Sequence, residues 1–181
     1  TEYIDTYMIH WPDDKVDIRY PMEVLSQLKY QGKIKSIGLS NTTTKDLRLA
    51  QQIDLIELVQ MQCNLFENAF DHIELEKGQT RMGWGTFDKG ILAKSVSKNR
   101  KFSKDDARSW APWWKKSNWK SKVDRASKYD ESLFDYALHY SLKHCDYALC
   151  GPKTINQLKK LIHSWKTKVN YDEVEKIKNE I

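Results

Sequence analysis

Five short apolar runs closed by turn residues alternate along this chain with stretches whose apolar positions recur at helical spacing. The runs cover residues 3–9, 34–39, 55–61, 81–84 and 146–150. Short strands separated by helices signal successive βα units and a parallel sheet, so the pattern predicts an α/β fold with five strands and roughly five helices.

Met22, Val24, Leu25 and Leu28 fall near 3.6-residue spacing and the stretch ends at Gly32, which tolerates the left-handed cap of a helix. Asn41, before TTTKDLRLAQQ, carries a side-chain oxygen suited to capping a second helix, whose weaker apolar face is Leu47, Leu49 and Ala50. A short third helix is expected over 67–77. A long fourth is expected over 124–143, with Phe134, Ala137, Leu138 and Leu142 on one side. Two more are expected at 154–165 and 171–181. The chain opens directly on a strand-like TEYIDTYMIHW, which leads to the expectation that it begins in the middle of a fold.

Composition narrows the class. With 181 residues, 40% apolar and 30% charged, the chain is expected to form one domain over 1–181. No apolar run is long enough to span a bilayer, and Glu2 and Asp5 at the amino end argue against a cleavable leader. Cys63, Cys145 and Cys150 are odd in number and lack CxxC spacing, so neither a disulfide framework nor a metal site is predicted, and a cytoplasmic location fits.

Charge is distributed unevenly. Residues 94–128 hold twelve Lys and Arg against three Asp, and the remainder of the chain is net negative. The same stretch contains Trp110, Trp113, Trp114 and Trp119 without steady periodicity, and 94–123 is predicted to be a long basic loop. Basic residues interleaved with aromatics could make a stacking platform for single-stranded nucleic acid. The reading adopted is an excursion whose tryptophans pack on the scaffold, its cations solvated or facing an anionic ligand.

In parallel barrels the sites lie at the carboxyl ends of the strands. Here those ends read IHWPD, GLSN, VQMQCN, MGWGTFDKGIL and CGPKTINQL, with helices between them. Taken in order, these motifs resemble the last five strands of the aldo-keto reductases, NADP(H)-dependent enzymes. The resemblance implies a partial (β/α)8 TIM barrel, strands 4 to 8, over nearly the whole chain.

The resemblance also implies site residues. His10 matches the histidine that orients the substrate carbonyl. Ser40, Asn41 and Gln60 match the residues that hold the nicotinamide carboxamide, and Trp84 stands where an aromatic, commonly tyrosine, stacks on the ring. Gly85, Phe87 and Lys89 lie in the turn that contacts the pyrophosphate. Gly151, Lys153 and Thr154 match the group that binds the 2′-phosphate, with Gln157 near the adenosine. The residue types suit these tasks: amides need donors and acceptors on rigid elements, and a phosphate wants a cation, a hydroxyl and amides at a helix start. Taken singly, Asn41 could be a helix cap, Trp84 core, and Lys153 a solvated charge.

The family completes hydride transfer with a tyrosine acid, a lysine that lowers its pKa and an aspartate paired with that lysine, all on its first strands. None has a match here, so the expectation is a portion of an NADP(H)-dependent oxidoreductase that is inactive alone. The partners expected are a small carbonyl substrate, once an amino-terminal half is supplied, and a second chain or larger assembly over the open strand edges; neither a membrane nor a metal is expected. A non-catalytic scaffold or regulatory subunit of the same descent is the alternative. The sequence departs from the family between NLFE and MGWG, where the stretch is about one helical turn short.

Overall fold

A computed structural model describes residues 1–181. The chain partitions into two compact units. The first comprises Thr1–Cys63, Asn68–Trp84 and His144–Leu149; the second comprises Asn64–Glu67, Gly85–Lys143 and Cys150–Ile181.

The first unit is built on a parallel five-stranded sheet in sequence order. Its strands are β1 (Ile4–Ile9), β2 (Ile34–Ser40), β3 (Leu58–Gln62), β4 (Thr80–Trp84) and β5 (Tyr147–Ala148). Every predicted strand is present, with β5 reduced to two residues. The register aligns Ile9 with Leu39, Ser40 with Gln60, Gln60 with Met82, and Gln62 with Trp84. Strand ends from β1 to β4 therefore finish at one level, and chemistry at one end of the sheet becomes possible.

Helix α1 (Arg19–Tyr30) buries Met22 and Leu25, while β2 buries Ile34, Ile37 and Leu39. The chain leaves α1 through Gly32 at φ +70, a left-handed turn that costs a residue without Cβ little. Helix α2 (Thr44–Ala50) buries Leu47 and Ala50. Its cap is Thr43, whose hydroxyl accepts from the Asp46 amide at 3.1 Å, and not the expected Asn41. Asn41 is itself left-handed at φ 52, and its side chain is engaged elsewhere.

The helix expected over 67–77 is reduced to a 3-10 turn at Ala69–His72. Asn68 draws its side chain onto the Phe70 amide and donates to Asp71, and Cys63 and Asn68 bridge antiparallel, so local polar bonds replace a helical ladder.

The second unit holds the remaining helices: α3 (Ala107–Trp110), α4 (Pro112–Lys115), α5 (Trp119–Ser127), α6 (Leu133–His144, whose last residue belongs to the first unit), α7 (Ile155–Lys166) and α8 (Tyr171–Glu180). The stretch predicted as a loop over 94–123 thus contains α3, α4 and the start of α5. Asp106 caps α3 on the Arg108 amide, Pro112 opens α4, and Trp114 stacks on Trp119 at 5.1 Å with Phe102 edge-on to both. Aromatic packing supplies the order that periodicity did not reveal. Trp114 is buried, whereas Trp110 and Trp113 are exposed.

The long helix expected over 124–143 is two helices. Asp130 accepts from both the amide and the hydroxyl of Ser132, an Asx turn that diverts the chain between α5 and α6. No helix is long and apolar enough to cross a membrane.

Candidate functional site

At the carboxyl ends of β1 to β4 the first unit assembles a continuous hydrogen-bond network. Asn41 lies at its centre because its left-handed backbone turns the side chain across the strand ends. Asn41 Nδ2 donates to the main-chain carbonyl of His10 and to Ser40 Oγ, both at 3.0 Å, and Asn41 Oδ1 accepts from Trp84 Nε1 at 3.0 Å. Ser40 Oγ donates to Gln60 Oε1 at 3.1 Å, and Gln60 Nε2 donates to Met82 Sδ at 3.2 Å. The Asn41 amide is itself anchored on the Gln60 carbonyl at 3.0 Å.

Residues from four consecutive strands are joined by these bonds. Ser40 is fully buried and Asn41, Gln60 and Trp84 are half-buried, so the amides are rigid while an indole remains partly open. Gln60 spends a donor on a thioether, a weak acceptor, and would exchange it readily for a carbonyl. His10 joins the network through its main chain only; its side chain is exposed, with the ring 6.4 Å from Trp11. Met82 is the network member that sequence reasoning missed. Its position directly across from Gln60 in the register is the reason it belongs there.

The turn after β4, in the second unit, is left-handed at four positions: Gly85 (φ 74), Asp88 (φ 38), Lys89 (φ 56) and Gly90 (φ 97). Two of these are not glycine, a local strain that surrounding contacts must hold. Arg108 donates to the Lys89 carbonyl at 2.7 Å and grips Asp106 with Nε and Nη2. The side-chain bonds from Arg108 hold the Asp106 carboxyl well below the usual range, and Lys153 adds to the effect.

Asp88, almost fully buried, is clasped by Lys89 Nζ at 3.1 Å and Lys122 Nζ at 2.7 Å. Phe87 stacks on Phe134 at 4.3 Å, so its ring contributes to packing in this unit. Asp88, Arg108 and Lys122 were not identified from the sequence. The net positive charge of 94–128 was the only signal for Arg108 and Lys122, and Asp88 lies outside that stretch.

At the start of α7, Thr154 Oγ1 accepts from the Gln157 amide at 3.2 Å, and Gln157 Oε1 accepts from the Lys153 amide at 2.6 Å. Both side chains therefore serve as a helix cap, leaving the exposed Lys153 ammonium and the open backbone at Gly151 as the features suited to an anion. Cys150, one residue earlier, has its thiol pushed up by burial.

The profile of the Aldo/keto reductase family matches residues 1–180. Among curated proteins, the chain is 29% identical over 175 residues to aldo-keto reductase YhdN of Bacillus subtilis, covering 89% of this chain and 53% of that one. It is 24% identical over 159 residues to the NADH-specific methylglyoxal reductase of Escherichia coli, covering 80% and 48%. Among solved structures, the glycerol dehydrogenase AKR11B4 from Gluconobacter oxydans superposes with a TM-score of 0.74 at 26% identity, covering 98% of this chain and 58% of that one. The chain thus spans about half the length of the curated relatives it matches.

Proposed function

Because the chain belongs to the aldo-keto reductase family, we propose that it is the cofactor-holding part of an NADP(H)-dependent carbonyl reductase, equivalent to strands four to eight of the family's (β/α)8 barrel. The observation that carries this reading is the network joining His10, Ser40, Asn41, Gln60 and Trp84 at the strand ends. It supplies amide donors and acceptors, fixed by cross-strand bonds, for a carboxamide, and a half-open indole for a flat ring. The bound nicotinamide would supply the hydride. Ser40, Asn41 and Gln60 orient the ring by its amide, Trp84 covers a face of it, and His10 orients the substrate carbonyl.

The same resemblance gives the phosphates to Gly85, Phe87, Lys89, Gly151, Lys153 and Thr154, with Gln157 near the adenosine. Within the second unit Asp88 and Asp106 interact with four cations, Lys89, Arg108, Lys122 and Lys153, and this local excess of positive charge supports an anion there.

The family's tyrosine, lysine and aspartate have no match in this sequence, so on this reading the 181 residues alone lack the family's proton donor for the alkoxide. On this reading the first βα units of a reductase complete the site. The single-sided pairing of β1 and β5 supports a covering polypeptide. So does α7, whose Ile155, Leu158, Ile162 and Trp165 form an exposed stripe at helical spacing.

One observation favours a second reading, that of a non-catalytic scaffold. Each polar group of the Asn41 side chain already has a partner within the chain, so cofactor would have to displace bonds that now stabilise it.

Titration with NADPH and NADH, followed by tryptophan fluorescence, tests the cofactor claim. Quenching that is reduced in Trp84→Phe is expected, and no quenching at millimolar NADPH would remove the claim. Turnover that stays absent after the family's first βα units are supplied would select the scaffold.

A further inference from the structure

The turn over 85–90 contains a buried anion where an anionic ligand is expected. Asp88 is 1% exposed, and its carboxylate is fixed on the turn by two ammonium groups. Lys89 is its chain neighbour. Lys122 comes from α5, 34 residues away, and its ammonium lies over the Phe66 ring, 5.2 Å from the ring centroid. Both ammonium groups are largely shielded, with side chains 26% and 18% exposed, so their charges are poorly screened by water.

The charge balance of this triad decides what the turn can accept. With both lysines present it is net +1. Without Lys122 it falls to zero, and the Lys89 charge is spent on Asp88 at the position where phosphate would approach. The closer contact is the one to Lys122, at 2.7 Å against 3.1 Å.

We propose that Lys122 is a positioning residue for the cofactor diphosphate, acting through Asp88: it cancels the buried carboxylate so that the 85–90 turn presents net positive charge. This rests on the reading that the turn faces diphosphate. The basic Trp-rich segment then has a defined task, since the stacked Trp114 and Trp119 precede and open α5 and help fix the helix that carries Lys122.

The test is a charge cycle on the full chain, with isothermal titration of NADPH and of inorganic diphosphate. Lys122→Met should weaken both by about tenfold, with the loss shrinking at 0.5 M salt. Adding Asp88→Asn to Lys122→Met restores net +1 and should return affinity to within about threefold of the starting chain. Lys122→Arg should bind like the unaltered chain.

An affinity that stays low in the double variant means that Lys122 touches phosphate itself, and overturns the proposal. Loss of thermal stability without loss of affinity in Lys122→Met overturns it as well. If the unaltered chain binds neither NADPH nor diphosphate, the cofactor reading falls and takes this inference with it; binding with failed rescue sinks this inference alone.

Discussion

Asn41 provides the sharpest test of the site, because one side chain joins three strand ends. Replacing it with alanine removes the bonds to the His10 carbonyl, Ser40 Oγ and Trp84 Nε1, each 3.0 Å long. At about 1 kcal/mol net per neutral bond the sum is about 3 kcal/mol, but the His10 residue is exposed and water can replace that partner, which lowers it to about 2 kcal/mol. Alanine at φ 52 adds about 1 kcal/mol of left-handed strain that asparagine tolerates better. Glycine at the same position loses the bonds without the strain. The expected order of stability is therefore asparagine, then glycine, then alanine, with alanine about 3 kcal/mol below the start. Urea unfolding followed by tryptophan fluorescence and circular dichroism measures both steps. If Asn41→Ala matched the unaltered chain, or if Asn41→Gly were the less stable of the two, the network would not be what holds the strand ends and the reasoning would be refuted.

Three further outcomes follow from the geometry. A Cβ on Gly83 would lie 2.8 Å from Cys145 Sγ and 3.1 Å from Cys63 Cβ, so Gly83→Ala should cost about 2 kcal/mol, and Cys145→Ala in the same chain should recover much of it in thermal melts. Glu57 accepts both from Lys29 and from the buried Ile37 amide at 2.8 Å; Glu57→Ala should lower the melting midpoint by about 6 °C, from about 2 kcal/mol of unmet bonding, and Glu57→Gln by less. Because Arg108 depresses the folded-state pKa of Asp106, its contribution is complete above the unfolded carboxylate pKa and is lost as pH falls below it. Stability measured from pH 5 down to pH 2 should fall less steeply in Asp106→Asn than in the unaltered chain, and parallel curves would contradict the assignment.

Much of the scaffold was legible from local periodicity. Five strands and the helices α1, α2, α7 and α8 followed from spacing and caps, since those patterns act over a few residues. The ends of elements were harder to read. Thr43 rather than Asn41 caps α2 because Asn41 is drawn into bonds with residues 31 and 43 positions away, and no local rule sees those partners. Similarly, the helices in 94–123 depend on Trp114 stacking with Trp119 and Phe102, and the break before α6 on the Asp130 turn.

For the site, Ser40, Asn41, Gln60 and Trp84 were named through the resemblance of the strand-end motifs to the aldo-keto reductases, because strand ends carry the chemistry in this kind of fold. Their bonding pattern, and the place of Met82 within it, were decided by the register of β2, β3 and β4. The clasp of Asp88 by Lys122 was decided by tertiary packing in the same way: charge in a stretch of sequence shows only an excess, and which carboxylate it neutralises depends on where a helix is laid. Short-range preferences are encoded within a few residues of where they act, whereas pairing between distant side chains exists only once the chain has closed on itself.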